Sequence, residues 1–193
     1  MATLKDYVGV IKVEEGRVVY VSYYPSRNNP RWPDYEREHY RVDGLLARVA
    51  TAAQFGVFRI EGTKDERPQR AAKLADRIRV GKGIDPTLGL YAAYAYADAD
   101  LIDSVRSVRN AIRDDLDADF YDVAMLSREG PDNRAVPFCP MLAQGWGLLR
   151  VRGVHLSPDM EQARNYLRPA LWTTFDPEGV DILVAALRAG KLP

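Results

Sequence analysis

The sequence predicts a mainly α-helical protein of the α+β class, an irregular stack of helical hairpins with a small N-terminal β-hairpin. Apolar residues recur at spacings of three and four along most of the chain, as they do on the buried face of a helix. Three dipeptides, Asp85-Pro86, Ser157-Pro158 and Asp176-Pro177, resemble helix starts, because Asp or Ser accepts a backbone N–H and Pro suits the first helical position. No fixed period links the helices, so a consensus repeat array is excluded.

The residue pattern of the N-terminal segment predicts β-structure. Tyr7–Val13 and Val18–Tyr24 are rich in Val and Tyr, and Gly16 between them is free to adopt the positive φ of a tight turn. Val57–Glu61, between two glycines, is a candidate third strand. We therefore expect a β-hairpin appendage over residues 1–26 and a helical domain over residues 27–193.

The centre of the predicted fold is a helical hairpin over Asp85–Leu116. Asp85 is its expected N-cap. One face of the second helix would carry Leu101, Val105, Val108, Ile112 and Leu116. In the first helix, Tyr91, Tyr94 and Tyr96 lie within six residues, so we expect that they do not all face inward. Core packing, a partner surface that includes Tyr94 and Tyr96, and the lining of a small-ligand pocket all remain open for these rings.

Further helices are predicted on both sides of this hairpin. They cover Asp34–Phe55, Pro68–Val80 and Pro140–Leu149, with two more that begin after Ser157 and Asp176. The last helix would bury a stripe made of Val180, Leu183, Val184 and Leu187 and stop at Gly190. Phe120–Leu126 is too short for periodicity to decide between strand and helix, and we favour helix from its position among helices.

Composition narrows the classes of function. The 27 basic residues balance 27 acidic ones, so no net charge draws the chain to nucleic acid or to anionic lipid. A single cysteine excludes an internal disulfide, and the N-terminus lacks the pattern of a secretory signal. No apolar run approaches the ~20 residues of a membrane span. We expect a cytoplasmic protein without nucleic-acid or membrane partners.

Catalysis and metal binding have weak support in the sequence. Cys139 could act as a nucleophile with His155 as its base, in a cysteine hydrolase, because a helix start can favour a thiolate. The alternative is a semi-buried structural cysteine and a surface histidine. No metal-ligand spacing is present, and the acidic run Asp114–Asp119 is expected to be a solvated corner. We expect no cofactor and no metal.

The best sequence-level candidate for a contact surface is the hairpin with the loop that follows it. An edge strand on an otherwise helical protein offers unpaired backbone groups to a partner strand. Aromatic and basic side chains accompany that edge: Tyr20, Tyr23, Tyr24, Arg27, Arg31 and Trp32. We expect a protein partner there, with self-association as the alternative. A hairpin that is simply folded over the helices is the competing interpretation.

Several runs carry a family resemblance. DPTLGLYAAYAYADAD, RDDLDADFYDVAML, PFCPMLAQGWGLL and ALWTTFDPEGVDILVAALRAG resemble a helical region at the C-terminal end of bacterial caspase-like (CHAT and caspase family) proteins, over roughly residues 56–190. In such proteins the peptidase is a separate upstream domain, which we do not expect in this chain. Cys139 matches the helical region, so no catalytic residue carries over. The resemblance implies a non-catalytic module that works beside a protease-type effector in bacterial signalling or defence.

Overall fold

The structure is a computed structural model that describes residues 4–54, 69, 72, 73, 75, 81–132 and 135–192. This part of the chain contains a two-stranded antiparallel sheet at its N-terminus, seven α-helices and a two-stranded parallel pairing of two residues each. The fold is therefore α+β, as the sequence predicts. None of the helices described is both long and apolar enough to cross a membrane.

The predicted hairpin is confirmed. Strand β1 (Tyr7–Glu14) pairs antiparallel with strand β2 (Arg17–Pro25). The residues that join them, Glu15 and Gly16, have φ of 49° and 72°. Positive φ at both central residues is typical of the type I′ turn, whose twist matches that of the two strands. The candidate third strand, Val57–Glu61, lies outside the described residues.

The hairpin is attached to the helical part at several points. At its turn, Arg168 donates to the carbonyls of Glu15 and Gly16, and the backbone N–H of Val18 donates to Thr174 Oγ1 at 3.1 Å. At its open end, the Tyr7 hydroxyl donates to the carbonyl of Gly83 at 2.8 Å. The division into an appendage of residues 1–26 and a helical domain stays a prediction.

Helix α1 (Trp32–Gln54) confirms the helix predicted over Asp34–Phe55. Its buried side chains recur at helical spacing and are Val42, Leu46, Val49 and Ala53. Of the helix predicted over Pro68–Val80, residues 69, 72, 73 and 75 are described, and they are helical. The rest of that prediction lies outside the described residues.

The central hairpin of helices is also present, as α2 (Thr87–Asp98) and α3 (Ile102–Leu116). Every residue of α2 from Thr87 to Tyr96 is buried. The helix packs against α1, β2, α3 and the short helix α4 (Tyr121–Leu126), so it has no side that faces solvent. The expectation that its three tyrosines cannot all be buried is therefore wrong: they are 0%, 5% and 2% exposed.

Helix α3 buries four residues of the predicted stripe, Val105, Val108, Ile112 and Leu116, whereas Leu101 precedes the helix and is half-buried. The helix also buries the charged side chain of Arg109. Its guanidinium donates to both oxygens of Asp119, at 2.9 and 2.6 Å, and to Ser127, Glu129 and the carbonyl of Gly130. All N–H groups of the guanidinium are thereby satisfied, which burial of a charge requires. Asp119 is buried, so the expectation of a wholly solvated acidic corner is wrong at this residue.

The segment after α3 is irregular. Strand β3 (Asp119–Phe120) pairs in parallel with β4 (Ala135–Val136), and α4 follows β3 directly. The helix preferred for Phe120–Leu126 is thus confirmed over Tyr121–Leu126, whereas Phe120 belongs to the strand. The helix predicted over Pro140–Leu149 is restricted to α5 (Gly145–Leu148). The buried Asp122 carboxylate accepts the N–H groups of Met141, at 2.6 Å, and Leu142, at 3.2 Å. The first part of the segment is not helical because it pairs with residues 171–173: the Met141 carbonyl accepts the N–H of Thr173 at 2.8 Å, and the N–H of Ala143 donates to the Leu171 carbonyl at 3.0 Å.

The last two helices are α6 (Pro158–Arg164) and α7 (Pro177–Arg188). Ser157 caps α6 as predicted, whereas Asp176 makes no capping bond and pairs with Arg168. The predicted stripe on α7 is wrong at two positions, because Val180 is 45% and Leu187 is 41% exposed. Leu183 is buried as predicted, and the other buried residues of α7 are Gly179 and Ala186. Gly190, with φ of 65°, ends the helix as predicted.

We predict that Gly145→Ala destabilises the fold, because a Cβ there would overlap the Tyr94 hydroxyl and lie 2.8 Å from Pro140 Cβ. Overpacking of this kind typically costs about 1–3 kcal/mol. Gly147 in the same helix is the matched control, since a Cβ there meets nothing within 4 Å. Urea unfolding of both variants tests this, and a Gly145→Ala variant as stable as Gly147→Ala would contradict the packing described.

Candidate functional site

A cavity of about 120 Å³ lies where β2, α1 and the start of α2 meet. Aromatic rings form its walls, and we call it the tyrosine cleft. The residues that line it include Tyr20 and Tyr24 of β2, Tyr35 and Asp43 of α1, and Asp85 just before α2. Two of the tyrosines belong to the surface that the sequence predicts for a partner, so the cleft is part of the same region.

Strand geometry explains why these rings meet. Alternate residues of a strand point to the same face, so Tyr20, Ser22 and Tyr24 are directed together toward α1. The ring of Tyr24 stacks on that of Tyr35, with centroids 5.8 Å apart and planes 22° from parallel. Tyr23, between them in sequence, is only 2% exposed, and burial raises its pKa. It therefore supports the fold and does not belong to an exposed partner surface.

The floor of the cleft is a buried carboxylate. Asp85 Oδ2 accepts the Ser22 hydroxyl at 2.7 Å, and Oδ1 accepts the N–H and the hydroxyl of Thr87 at 2.9 and 2.7 Å. The expected capping role of Asp85 is thus present, and the same side chain also joins β2 to α2. Burial raises the pKa of Asp85 to about 6, although these hydrogen bonds act in the opposite direction.

The charge around the cleft is negative. Asp43 lies on α1 with an exposed side chain, and together with Asp85 it helps to raise the pKa of Tyr20, for which burial is the larger cause. Burial and then Asp43 likewise raise the pKa of Tyr35. Among the residues that line this cavity, none is Lys, Arg or His.

The loop beside the cleft holds the predicted basic residues. Arg27 lies over the ring of Trp32, with its guanidinium carbon 6.0 Å from the ring centroid. Arg31 is exposed and lies 3.7 Å from a carboxylate oxygen of Asp34. The Trp32 ring is 5.4 Å from that of Tyr35, so the loop and the cleft share one aromatic cluster.

The remaining predicted partner residues are not on the surface. Tyr94 is buried and donates its hydroxyl to Asp122 at 2.6 Å, and Tyr96 is buried in the same helix. Both are therefore core residues in this chain.

The geometry does not join Cys139 to His155. Cys139 is 7% exposed, and burial, followed by the nearby Asp122, raises the pKa of its thiol to about 12. His155 is exposed and lines a separate open groove of about 390 Å³ with Tyr121 and Lys191, in which Cys139 takes no part. Such a thiol is protonated at neutral pH and lies outside the groove of His155, so the arrangement is unlike that of an activated nucleophile.

In the described ranges, no group of three or more His, Cys, Asp or Glu side chains converges to form a metal site.

The sequence did not predict that Tyr35 and Asp43 line the cleft or that Asp85 lies below the rings. The alternation of Tyr20, Ser22 and Tyr24 could have indicated one wall. The opposite wall depends on how α1 packs, which the local pattern does not contain.

We predict that Asp85 makes stability depend on pH. Burial raises the pKa of Asp85 in the folded state to about 6, above the ordinary aspartate value of about 3.9. The folded protein therefore binds a proton that the unfolded chain releases, and lowering the pH through about 6 stabilises the fold. Between pH 7 and pH 5 the gain from this group is about 1 kcal/mol.

Asp85→Asn should remove this gain while it retains the shape of the side chain. Asp103→Asn, at a side chain that is 98% exposed, is the control. Urea unfolding at the two pH values measures the difference, and equal pH dependence in wild type and Asp85→Asn would show that Asp85 does not titrate in this range.

Comparison with known proteins adds no family to this description: no protein-family model, curated protein or solved structure matches the chain.

Proposed function

We propose that this chain is a non-catalytic protein-interaction or regulatory module that works beside a protease-type effector in bacterial signalling or defence. The link to such an effector rests on the resemblance of residues 56–190 to the helical region of caspase-like proteins. We further propose a cytoplasmic location and an arrangement of the helices as an irregular stack of hairpins.

The observation that carries the interaction role is the exposed strand β1. Its apolar side chains Val8, Val10, Ile11 and Val13 are between 38% and 58% exposed. Within the described part of the chain, β1 pairs only with β2, and we propose that its other edge accepts an added strand. Backbone hydrogen bonds would supply affinity for an extended segment of the partner, and the apolar side chains would supply contact area.

The attachment of the hairpin supports this mode of binding. Ser22 on β2 is tied to the buried Asp85, and the turn is held by Arg168. The inner strand is therefore bonded to the helical part at Val18 and Ser22, and the outer strand at Tyr7, so β1 is presented to solvent on a rigid support. A preorganised edge costs less conformational entropy on binding than a mobile one.

The edge also carries charge. Lys12 lies in the middle of β1 and pairs with Glu14 at 2.6 Å. Charged residues on an edge strand are a common protection against uncontrolled strand pairing. We propose that β1 pairs with one partner segment, and that the charge of Lys12 and Glu14 opposes pairing with other exposed strands.

A cysteine hydrolase that uses Cys139 and His155 is the alternative from the sequence. The burial of Cys139, the raised pKa of its thiol and its absence from the groove of His155 all argue against it. A small-ligand sensor with a tyrosine-lined pocket has more support, because the tyrosine cleft exists. The cleft is lined by Tyr20, Tyr24 and Tyr35, and the tyrosines of α2 take no part in it.

We predict that Ile11→Lys combined with Val13→Lys abolishes partner binding without unfolding the protein, because added charge on β1 opposes strand addition. The assay is co-purification from the native host, with far-UV circular dichroism to verify the helices. The matched control is Val180→Lys with Leu187→Lys, which changes two equally exposed apolar residues on α7.

Partner retention by wild type and by the α7 control, with loss from the β1 variant, is the expected pattern. Equal retention by all three proteins would contradict binding through β1. Sedimentation of the same proteins separates a foreign partner from a second copy of this chain.

A further inference from the structure

We propose that the partner of β1 is an extended segment of another protein in which charged and apolar residues alternate, with an acidic residue facing Lys12 and a basic residue facing Glu14. The chemistry of this segment rests on the proposed function, in which β1 accepts an added strand.

The two faces of β1 differ in chemistry near its turn. Alternate residues of a strand point to the same face, so Lys12 and Glu14 share one face, and their contact at 2.6 Å agrees with this. Ile11 and Val13 lie on the other face, where they are 45% and 58% exposed. An added strand therefore meets two charges on one face and two β-branched apolar side chains on the other.

Lys12 and Glu14 can each bind a facing side chain in addition to one another. Their side chains are 64% and 54% exposed. An ammonium group has three N–H donors and a carboxylate has about four lone-pair sites, more than their mutual contact uses. Directly opposite side chains of neighbouring strands lie close together, so opposite charges there stabilise the pairing and like charges oppose it. The order of charges along the added strand therefore decides how well it fits.

The required order depends on the direction of the added strand. In an antiparallel strand, the basic residue that faces Glu14 comes first, and the acidic residue that faces Lys12 follows two positions later. A parallel strand needs the reverse order. Antiparallel pairing is slightly more stable per residue, so we expect the order basic, apolar, acidic.

A second copy of β1 fits this pattern poorly, although its own residues Lys12–Glu14 have the order basic, apolar, acidic. When two antiparallel copies place Lys12 opposite Glu14, the earlier residues of each strand face the turn of the other copy. The turn residues Glu15 and Gly16 have φ of 49° and 72°, which is not the conformation of a strand. A foreign segment can instead continue as a strand along the whole of β1.

Two synthetic peptides of the same composition test the order of charges. They have the sequences TKVEVTV and TEVKVTV, are blocked at both ends, and are titrated into the isotope-labelled full chain at low ionic strength, with NMR of the β1 amides as the readout. We expect saturable shifts in β1. TKVEVTV should bind roughly tenfold more tightly than TEVKVTV, a difference that corresponds to about 1.4 kcal/mol.

A charge exchange in the protein is the matched variant. Lys12→Glu combined with Glu14→Lys keeps the net charge and every apolar side chain of β1. It should reverse the preference, so that TEVKVTV binds more tightly. The control is Glu38→Arg combined with Arg41→Glu, which exchanges the charges of another exposed ion pair, on α1, and should leave the wild-type preference unchanged.

The charge order and the role of β1 can fail separately. Equal affinity for the two peptides, in wild type and in the β1 charge exchange, would overturn the charge order. Loss of both peptides from Ile11→Lys combined with Val13→Lys would still support β1 as the binding edge. Binding that persists in that variant, or no saturable shift with either peptide, would overturn both. A wild-type dimer that the same variant dissociates in sedimentation would overturn the foreign partner.

Discussion

A helix without a solvent-facing side is the constraint on which the rest of this structure depends. Because α2 is buried from Thr87 to Tyr96, it must be covered in every direction, and it is covered by α1, β2, α3 and α4. Its polar groups must also be satisfied without water. Thr87 donates to Asp85 at the start of the helix, and Tyr94 donates to Asp122 further along. The surrounding elements are thus positioned by hydrogen bonds as well as by apolar packing.

The same arrangement determines what the surface can do. Asp85 binds Ser22 of β2 and Thr87 of α2, so it attaches the inner strand of the hairpin to the core. With β2 fixed in this way, β1 becomes the outer strand, and alternate tyrosines of β2 face α1 to form the cleft. The exposed edge and the aromatic cleft are two consequences of one attachment.

Local signals in the sequence were sufficient for elements whose structure depends on neighbours along the chain. The β-hairpin, the Ser157 cap, the apolar stripe of α3 and the stop at Gly190 follow from turn, capping and periodicity rules. The burial of Arg109 with Asp119 could not be predicted in this way, since the ion pair forms between elements. The shortened helix at Gly145 likewise depends on a distant segment, since Met141 and Ala143 form backbone hydrogen bonds with Thr173 and Leu171.

The candidate site also has one part that the local sequence could predict and one part that depends on packing between elements. One wall of the cleft is local, because Tyr20, Ser22 and Tyr24 alternate on a strand. The other wall, with Tyr35 and Asp43, depends on the packing of α1 on β2. On α7 the predicted stripe is wrong at Val180 and Leu187. Gly179 is buried beside Leu183 because its small size allows close contact with Tyr166 and Phe175.

Native-state hydrogen exchange is the measurement that tests the central position of α2 most directly. If α2 is covered on every side, its amides can exchange only when the whole fold opens, so their free energy of exchange should equal the global free energy of unfolding. The outer strand β1 should exchange through smaller openings. Exchange of the α2 amides at a clearly lower free energy than those of α3 or α7 would contradict the account, because the rest of the structure could then persist without α2.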